Sequence, residues 1–203
     1  MLGVPPLALL LLACLIAGVL LLLLWPTRRR SQVLVEDAIK HLYHCDYAGT
    51  PATLASLSGA LGLSGDRAVR LASELEQRAL VRASAGVYTL TADGRREALR
   101  VIRVHRLWER FLSEETGLDP SKWHAAAEKR EHRMTPAEAD ALSARLGHPV
   151  FDPHGDPIPT ATGEIPPARG RPLTDINVGE EVEIVHVEDE PHAVYSQILA
   201  QQL

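Results

Sequence analysis

The pattern of apolar and polar positions divides the chain sharply. From Val4 to Trp25 it is almost entirely apolar, and Leu7 to Trp25 carries no charge. A helix crossing a bilayer needs about 20 such residues. Arg28, Arg29 and Arg30 follow at once, and positive charge flanking a span favours the cytoplasmic side. A cleaved signal peptide would place basic residues ahead of a shorter apolar core. The run Leu11-Leu12-Ala13-Cys14 faintly matches a lipoprotein cleavage box, but ten apolar or small residues continue beyond it. The segment therefore predicts a transmembrane anchor over 1–30, a single-pass inner-membrane location, and everything after it in the cytoplasm.

Beyond residue 30 the period changes. Apolar residues at 35, 38, 39, 42 and 43 have the spacing of an amphipathic helix. Asp46, Gly49 and Pro51 mark a turn. Leu54, Ala55, Leu57 and Leu61 form a second helical stripe, which Gly62 breaks. Ser64 suits an N-cap, and Ala68, Leu71, Ala72 and Leu75 line a third helix over about 65–78. Helix, glycine-containing turn and helix make a helix-turn-helix. Two short β-rich runs, Leu80 to Arg82 and Gly86 to Leu90, then read as the hairpin of a winged helix.

A long amphipathic pattern runs from about Ala92 to Glu115, with Thr91 as its cap. Gly117 and Pro120 end it, a further helix covers about Pro120 to His132, and Thr135-Pro136 starts another that ends near Gly147. Residues 149–172 are rich in proline and glycine, as an irregular linker is. Glu181 to Val187 alternates like a strand, and Ala193 to Leu203 looks helical. The fold class predicted is mainly α. Its units are the anchor, a winged helix-turn-helix over 31–95, a helical unit over 96–148, the linker, and a partial β segment within 173–203.

Charge sharpens this outline. The whole chain has a formal net charge of -5, a mild argument against a nucleic-acid binder. Between Arg67 and Arg110, however, ten arginines stand against five acids. Such a local basic region is compatible with a DNA-facing surface, and equally with a solvated helical face. The two cysteines, Cys14 and Cys45, make no disulfide framework.

Candidate chemistry concentrates in 28 residues. His124, Glu128, Glu131 and His132 are spaced i, i+4, i+7 and i+8, which puts them on one helical face. His105 and Glu109 form a second i, i+4 pair on the preceding helix. Imidazole and carboxylate groups converging in this way suit a divalent first-row ion: Mn2+, Fe2+, Co2+ or Zn2+. Water-facing polar residues would show the same spacing singly, but two pairs plus Glu131-His132 are less easily accounted for so.

These residues also carry a resemblance. His105-Arg106-Leu107-Trp108-Glu109-Arg110-Phe111-Leu112, then Gly117-Leu118-Asp119, then His124-x-x-x-Glu128-x-x-Glu131-His132 resembles the metal-binding and dimerisation domain of iron-dependent repressors, the diphtheria toxin repressor and manganese transport regulator family. So does Gly147-His148-Pro149 with Pro153 to Pro159 after it, and Val35 to Tyr43 resembles the family's first helix. The resemblance covers about 33–203. It implies a first metal site at Asp37, Glu128, Glu131 and His132 and a second at His105, Glu109 and His124. Iron-type members have methionine and cysteine where this chain has Asp37 and Glu128, whereas manganese regulators have carboxylates. Those regulators also have a glutamate where this chain has Lys40, which speaks against their closely spaced metal pair. The resemblance implies an SH3-like (FeoA-like) module for 173–203, with no ligands aligned.

The function so implied is a metal-dependent (Mn2+ or Fe2+) transcriptional repressor of metal-uptake genes. It would be a homodimer tethered at the membrane that reads a palindromic double-stranded operator. Ser64, Arg67 and Arg70 would face the DNA, with Asp66 acting as a helix cap. The alternative is a membrane-bound metal sensor that regulates a transporter by protein contact without binding DNA. A metallo-hydrolase would need a general base beside an open metal position, and outside the ligands none is evident. The chain is therefore read as a non-enzyme.

Overall fold

The computed structural model describes residues 29–189 and 192–201. Helix α1 runs through 29–47. It buries Val35, Ala38, Ile39, Leu42 and Tyr43, the stripe that the heptad-like spacing marks out. Helix α2 (Leu54–Ala60) starts at a capping box, in which Thr53 and Ser56 satisfy each other's backbone N–H. The predicted start at Thr50-Pro51 thus lies a few residues early. Helix α3 (Gly65–Gln77) has Ser64 as N-cap and buries Ala68, Leu71, Ala72 and Leu75.

Strands β1 (Val81–Ser84) and β2 (Val87–Leu90) pair antiparallel, with Val81 opposite Leu90 and Ser84 opposite Val87. Ala85 and Gly86 turn the hairpin at positive φ, 48° and 80°, as a two-residue loop with the right-handed twist requires. Tyr88 N–H donates to the Ala52 carbonyl at 2.8 Å, which docks the wing on the segment leading into α2. Helix α4 (Ala92–Glu115) is capped by the Thr91 hydroxyl. A short 3₁₀ turn, Pro120–Lys122, leads into α5 (Trp123–Glu131), and α6 (Pro136–Arg145) opens with a capping box between Thr135 and Glu138. Helix α7 covers His192–Ala200.

Two apolar cores result. The larger joins α1, α2, α3 and the wing to the first half of α4 through Ala98, Leu99 and Ile102. The smaller packs Val104 and Leu107 of α4 against Ala139 and Ile158. Helix α4 therefore threads both, and fixes the winged unit to the helical unit.

Two expectations need correction. The apolar run over 1–28 lies outside the described residues. Among those described, no helix is long and apolar enough to cross a membrane. The longest helices are amphipathic, and α4 carries arginines at 95, 96, 100, 103, 106 and 110. The single-pass inner-membrane location is accordingly withdrawn. The second concerns 181–187, which forms no strand. Its alternation leaves Val182 and Ile184 exposed. Val187 N–H reaches the His154 carbonyl at 2.9 Å, but among the described residues no neighbouring strand supplies a ladder, and an isolated extended segment has nothing to register against.

Candidate metal centre

Helices α1, α4 and α5 meet at a cluster of ionisable side chains. Glu109 and Glu131 are each 1% exposed, and His105 is nearly as buried. Interior charges are stable only when paired, hydrogen-bonded or bound to an ion. Among the described residues there are three groups of potential ligands, the ligand atoms of each lying within 4.8 Å of one another: Asp37, Glu131 and His132; His105, Glu109 and His124; and Glu109, His154 and Asp189.

The first group ties α1 to the end of α5. His132 Nε2 lies 3.0 Å from Asp37 Oδ1 and 3.4 Å from Glu131 Oε1. Its Nδ1 is 2.6 Å from Glu36 Oε2, and Glu36 is itself held by Arg100 at 2.7 Å. A carboxylate on one ring nitrogen fixes the imidazole's orientation and leaves the other nitrogen free to ligate. Burial would push the His132 pKa down, but Asp37, Glu36 and Glu131 outweigh it and raise it to about 9. Burial would likewise raise Glu131, yet His105 and Lys40 bring it down to about 2.

The second group spans α4 and α5. His105 Nε2 is 3.0 Å from Glu109 Oε1, and its Nδ1 is 2.5 Å from Glu131 Oε2. His105 therefore joins the first and second groups through opposite sides of one ring. His124 Nδ1 faces Glu109 at 3.5 Å and Asp189 at 3.0 Å. Burial opposes ionisation of Glu109, but His105, His124 and His154 hold its carboxyl far below the usual carboxylate range.

Sequence spacing gives no sign of the third group. His154 Nδ1 lies 3.6 Å from Glu109 and 3.7 Å from Asp189. Both ring nitrogens of His154 are buried and make no hydrogen bond. Buried polar atoms seldom go unsatisfied, so this histidine fits an ion better than it fits a core. Asp152 lies beside it, accepting from the His154 and Asp156 N–H groups at 2.9 Å. Burial, then the charges of Asp156 and Glu109, push its pKa up to about 7.

The predicted ligands are thus mostly convergent. Asp37, Glu131 and His132 come together, as do His105, Glu109 and His124. Glu128 stands apart from the first group: its side chain is 53% exposed and points to His124 Nε2 at 3.5 Å. It lines the same groove as Asp37, Glu131 and His132. Sequence reasoning missed Glu36, His154 and Asp189. Glu36 adjoins Asp37, but only the packing of α5 shows that it backs His132. His154 stands inside the Pro153–Pro159 motif, which could have flagged it. Asp189 lies in a segment without regular structure, where spacing says nothing. At the other end of the molecule, Arg67 and Arg70 are exposed on α3, Asp66 sits in its first turn, and the Ser64 side chain makes no capping bond.

The architecture defines a class: a winged helix-turn-helix unit whose first helix contributes to a carboxylate–imidazole cluster in an attached helical unit. The family model "Iron dependent repressor, metal binding and dimerisation domain" matches residues 91–160. A solved manganese-dependent transcriptional repressor in complex with manganese is 30% identical, with a TM-score of 0.74, covering 82% of this chain and 78% of that one. The diphtheria toxin repressor of Corynebacterium glutamicum is 31% identical, over 71% of this chain and 66% of its own length. The iron-dependent repressor IdeR of Mycobacterium tuberculosis is 32% identical over 61% of this chain and 54% of itself. The chain belongs to the iron-dependent repressor family. It spans about half the length of the mycobacterial relatives it matches.

Proposed function

We propose that this chain is a metal-dependent DNA-binding transcriptional repressor that responds to Mn2+ or Fe2+ and acts as a homodimer on a palindromic operator. The observation that carries this reading is the meeting of Asp37 from α1 with Glu131 and His132 from the end of α5. It links the winged unit to the helical unit at one point. Asp37, Glu131 and His132 would hold a divalent ion there, whose positive charge would offset the two carboxylates, and oxygen-rich donors favour Mn2+ or Fe2+. Asp37 then fixes α1, and with it the recognition helix α3 that packs on the same core. In a dimer, fixed spacing between two recognition helices selects half-sites one helical turn apart. Glu109 with His105, His124, His154 and Asp189 would hold a further ion. The family relatives are repressors, which favours a regulator over an enzyme.

The test is retention of genomic DNA fragments by the chain with Mn2+, Fe2+ or Zn2+ supplied, against Glu131→Ala. Specific, metal-dependent retention that the substitution abolishes is the expected result. Metal uptake without any DNA retention would overturn the proposal.

A further inference from the structure

Helix α3 buries Ala68, Leu71, Ala72 and Leu75. Asp66, Val69, Arg70 and Ser73 are exposed and spaced i, i+3, i+4 and i+7, so they form one outward stripe. Arg67 precedes the buried Leu71 by one turn and lies at the edge of that stripe. Of the ten arginines between Arg67 and Arg110, those at 78, 95, 96, 100, 103, 106 and 110 each pair with a carboxylate. The side chains of Asp66, Arg67 and Arg70 make no hydrogen bond or ion pair among the described residues. Asp66 and Arg70 stand one turn apart and do not pair with each other either. Val69, between them, is 52% exposed. Further along the helix Gln77 Nε2 donates to Ser73 Oγ at 3.3 Å, so those two are already occupied.

A surface made only for phosphate would carry cations alone. A carboxylate in the stripe is repelled by the DNA backbone and needs a donor to face. In the major groove the amino groups of cytosine and adenine are donors, and the guanidinium fork matches guanine O6 and N7. Cytosine offers its donor alone, whereas adenine sets the N7 acceptor beside it. An apolar side chain fits the thymine methyl group. Asp66, Val69 and Arg70 lie in the first two turns of α3, the part of a recognition helix that reaches base edges.

We propose that Asp66, Val69 and Arg70 set which sequence α3 reads: Arg70 takes a guanine, Asp66 the amino group of a cytosine and Val69 the methyl group of a thymine, in neighbouring base pairs of each half-site. Arg67, at the edge of the stripe, takes a phosphate. The inference rests on the DNA-binding reading above and adds the base chemistry to it. Ser64 already holds the cap position of α3, which leaves Asp66 to act as a filter. It refuses guanine and thymine, whose edges present acceptors to it, and specificity gains as much from such repulsion as from attraction.

The experiment selects binding sites for the full chain from a random duplex library with Mn2+ supplied, and repeats the selection with Arg70→Gln, Asp66→Asn and Arg67→Ala. The wild-type half-site is expected to hold guanine, cytosine and thymine in neighbouring pairs. Glutamine and asparagine both fit adenine N6 and N7. Arg70→Gln should therefore exchange the guanine for adenine, and Asp66→Asn the cytosine for adenine, each lowering affinity for the wild-type site by about ten- to hundredfold. Arg67→Ala should keep the selected sequence and weaken binding to every duplex alike. Uracil in place of the thymine removes one methyl group and should cost the wild type about fourfold, the worth of one buried carbon, and Val69→Ala nothing further. Unchanged Mn2+ affinity shows that each variant is folded. An unaltered selected sequence in Arg70→Gln or in Asp66→Asn would overturn the inference and leave the repressor reading standing. A wild-type chain that selects no duplex with Mn2+ or Fe2+ supplied would overturn both.

Discussion

At the scale of single residues, the first ligand group depends on side chains that are not ligands. Glu36 accepts from His132 Nδ1 at 2.6 Å and Arg100 holds Glu36 in place. Glu36→Gln should therefore lower metal affinity by about ten- to hundredfold without changing the ion count; equal isotherms for the two proteins would refute this. The raised pKa of His132, about 9, has two consequences of opposite sign. Its proton must leave before Nε2 can ligate, so metal affinity should climb with pH up to about 9. In the metal-free protein the same elevation stabilises the fold. That contribution is fully present below the unfolded value near 6.5, and it is lost as pH rises through about 9. Denaturant titrations of the metal-free chain at pH 6 and pH 10 should show the decline, and His132→Gln should flatten it. Of these residues, Glu131 and His132 were legible in the sequence because their types and spacing already suit an ion, whereas Asp37 entered only through the family resemblance. Glu36 was not, since its role exists only once α5 lies against α1.

At the scale of elements, local rules account for most boundaries. Threonine caps begin α2, α4 and α6, and Ala85-Gly86 turns the wing at positive φ. Spacing does not show how tightly α4 sits on the wing. A Cβ on Gly94 would lie 2.0 Å from the Leu80 carbonyl oxygen, a backbone atom that cannot swing away. Gly94→Ala, a change that stabilises most helices, should here cost about 1–3 kcal/mol from overpacking. A melting temperature at or above wild type would show that α4 and the wing have room to separate. The alternating run 181–187 behaves in the reverse way. Its period is that of a strand, but Val182 and Ile184 stay exposed because strand structure needs a partner as well as a pattern.

At the scale of the whole molecule, the candidate metal ligands and helix α3 lie on different elements, and α1 and α4 join them through the larger core. On the proposed reading, in which the exposed Arg67 and Arg70 face DNA, Arg67→Ala or Arg70→Ala should weaken DNA binding, and where the lost contact is to phosphate it should do so across sequences and reduce the salt slope by about 1. Metal affinity should be untouched, which separates this defect from that of Glu131→Ala. The third ligand group depends on another close approach. Gly155, at φ +93°, would place a Cβ 2.0 Å from the Val185 carbonyl oxygen. Gly155→Ala should displace the segment that brings Asp189 to His154. It should weaken metal binding there while the Asp37–Glu131–His132 group keeps its affinity. Loss at both groups, or at neither, would break that link.

By itself, the sequence determined the helix-turn-helix, the wing and the long central helix, and it marked the candidate ligands on α4 and α5, because each rests on short-range periodicity, capping or turn chemistry. It also suggested a membrane location, from a run that lies outside the described residues and that no described helix supports. Only the tertiary structure decided which ligands converge. It turned Glu128 toward His124, brought His154 and Asp189 to Glu109, and seated Lys40 on Glu131. The last of these joins side chains 91 residues apart, and burial makes each charge in the cluster find a partner. Neither long-range contact nor burial is encoded in any local window of sequence.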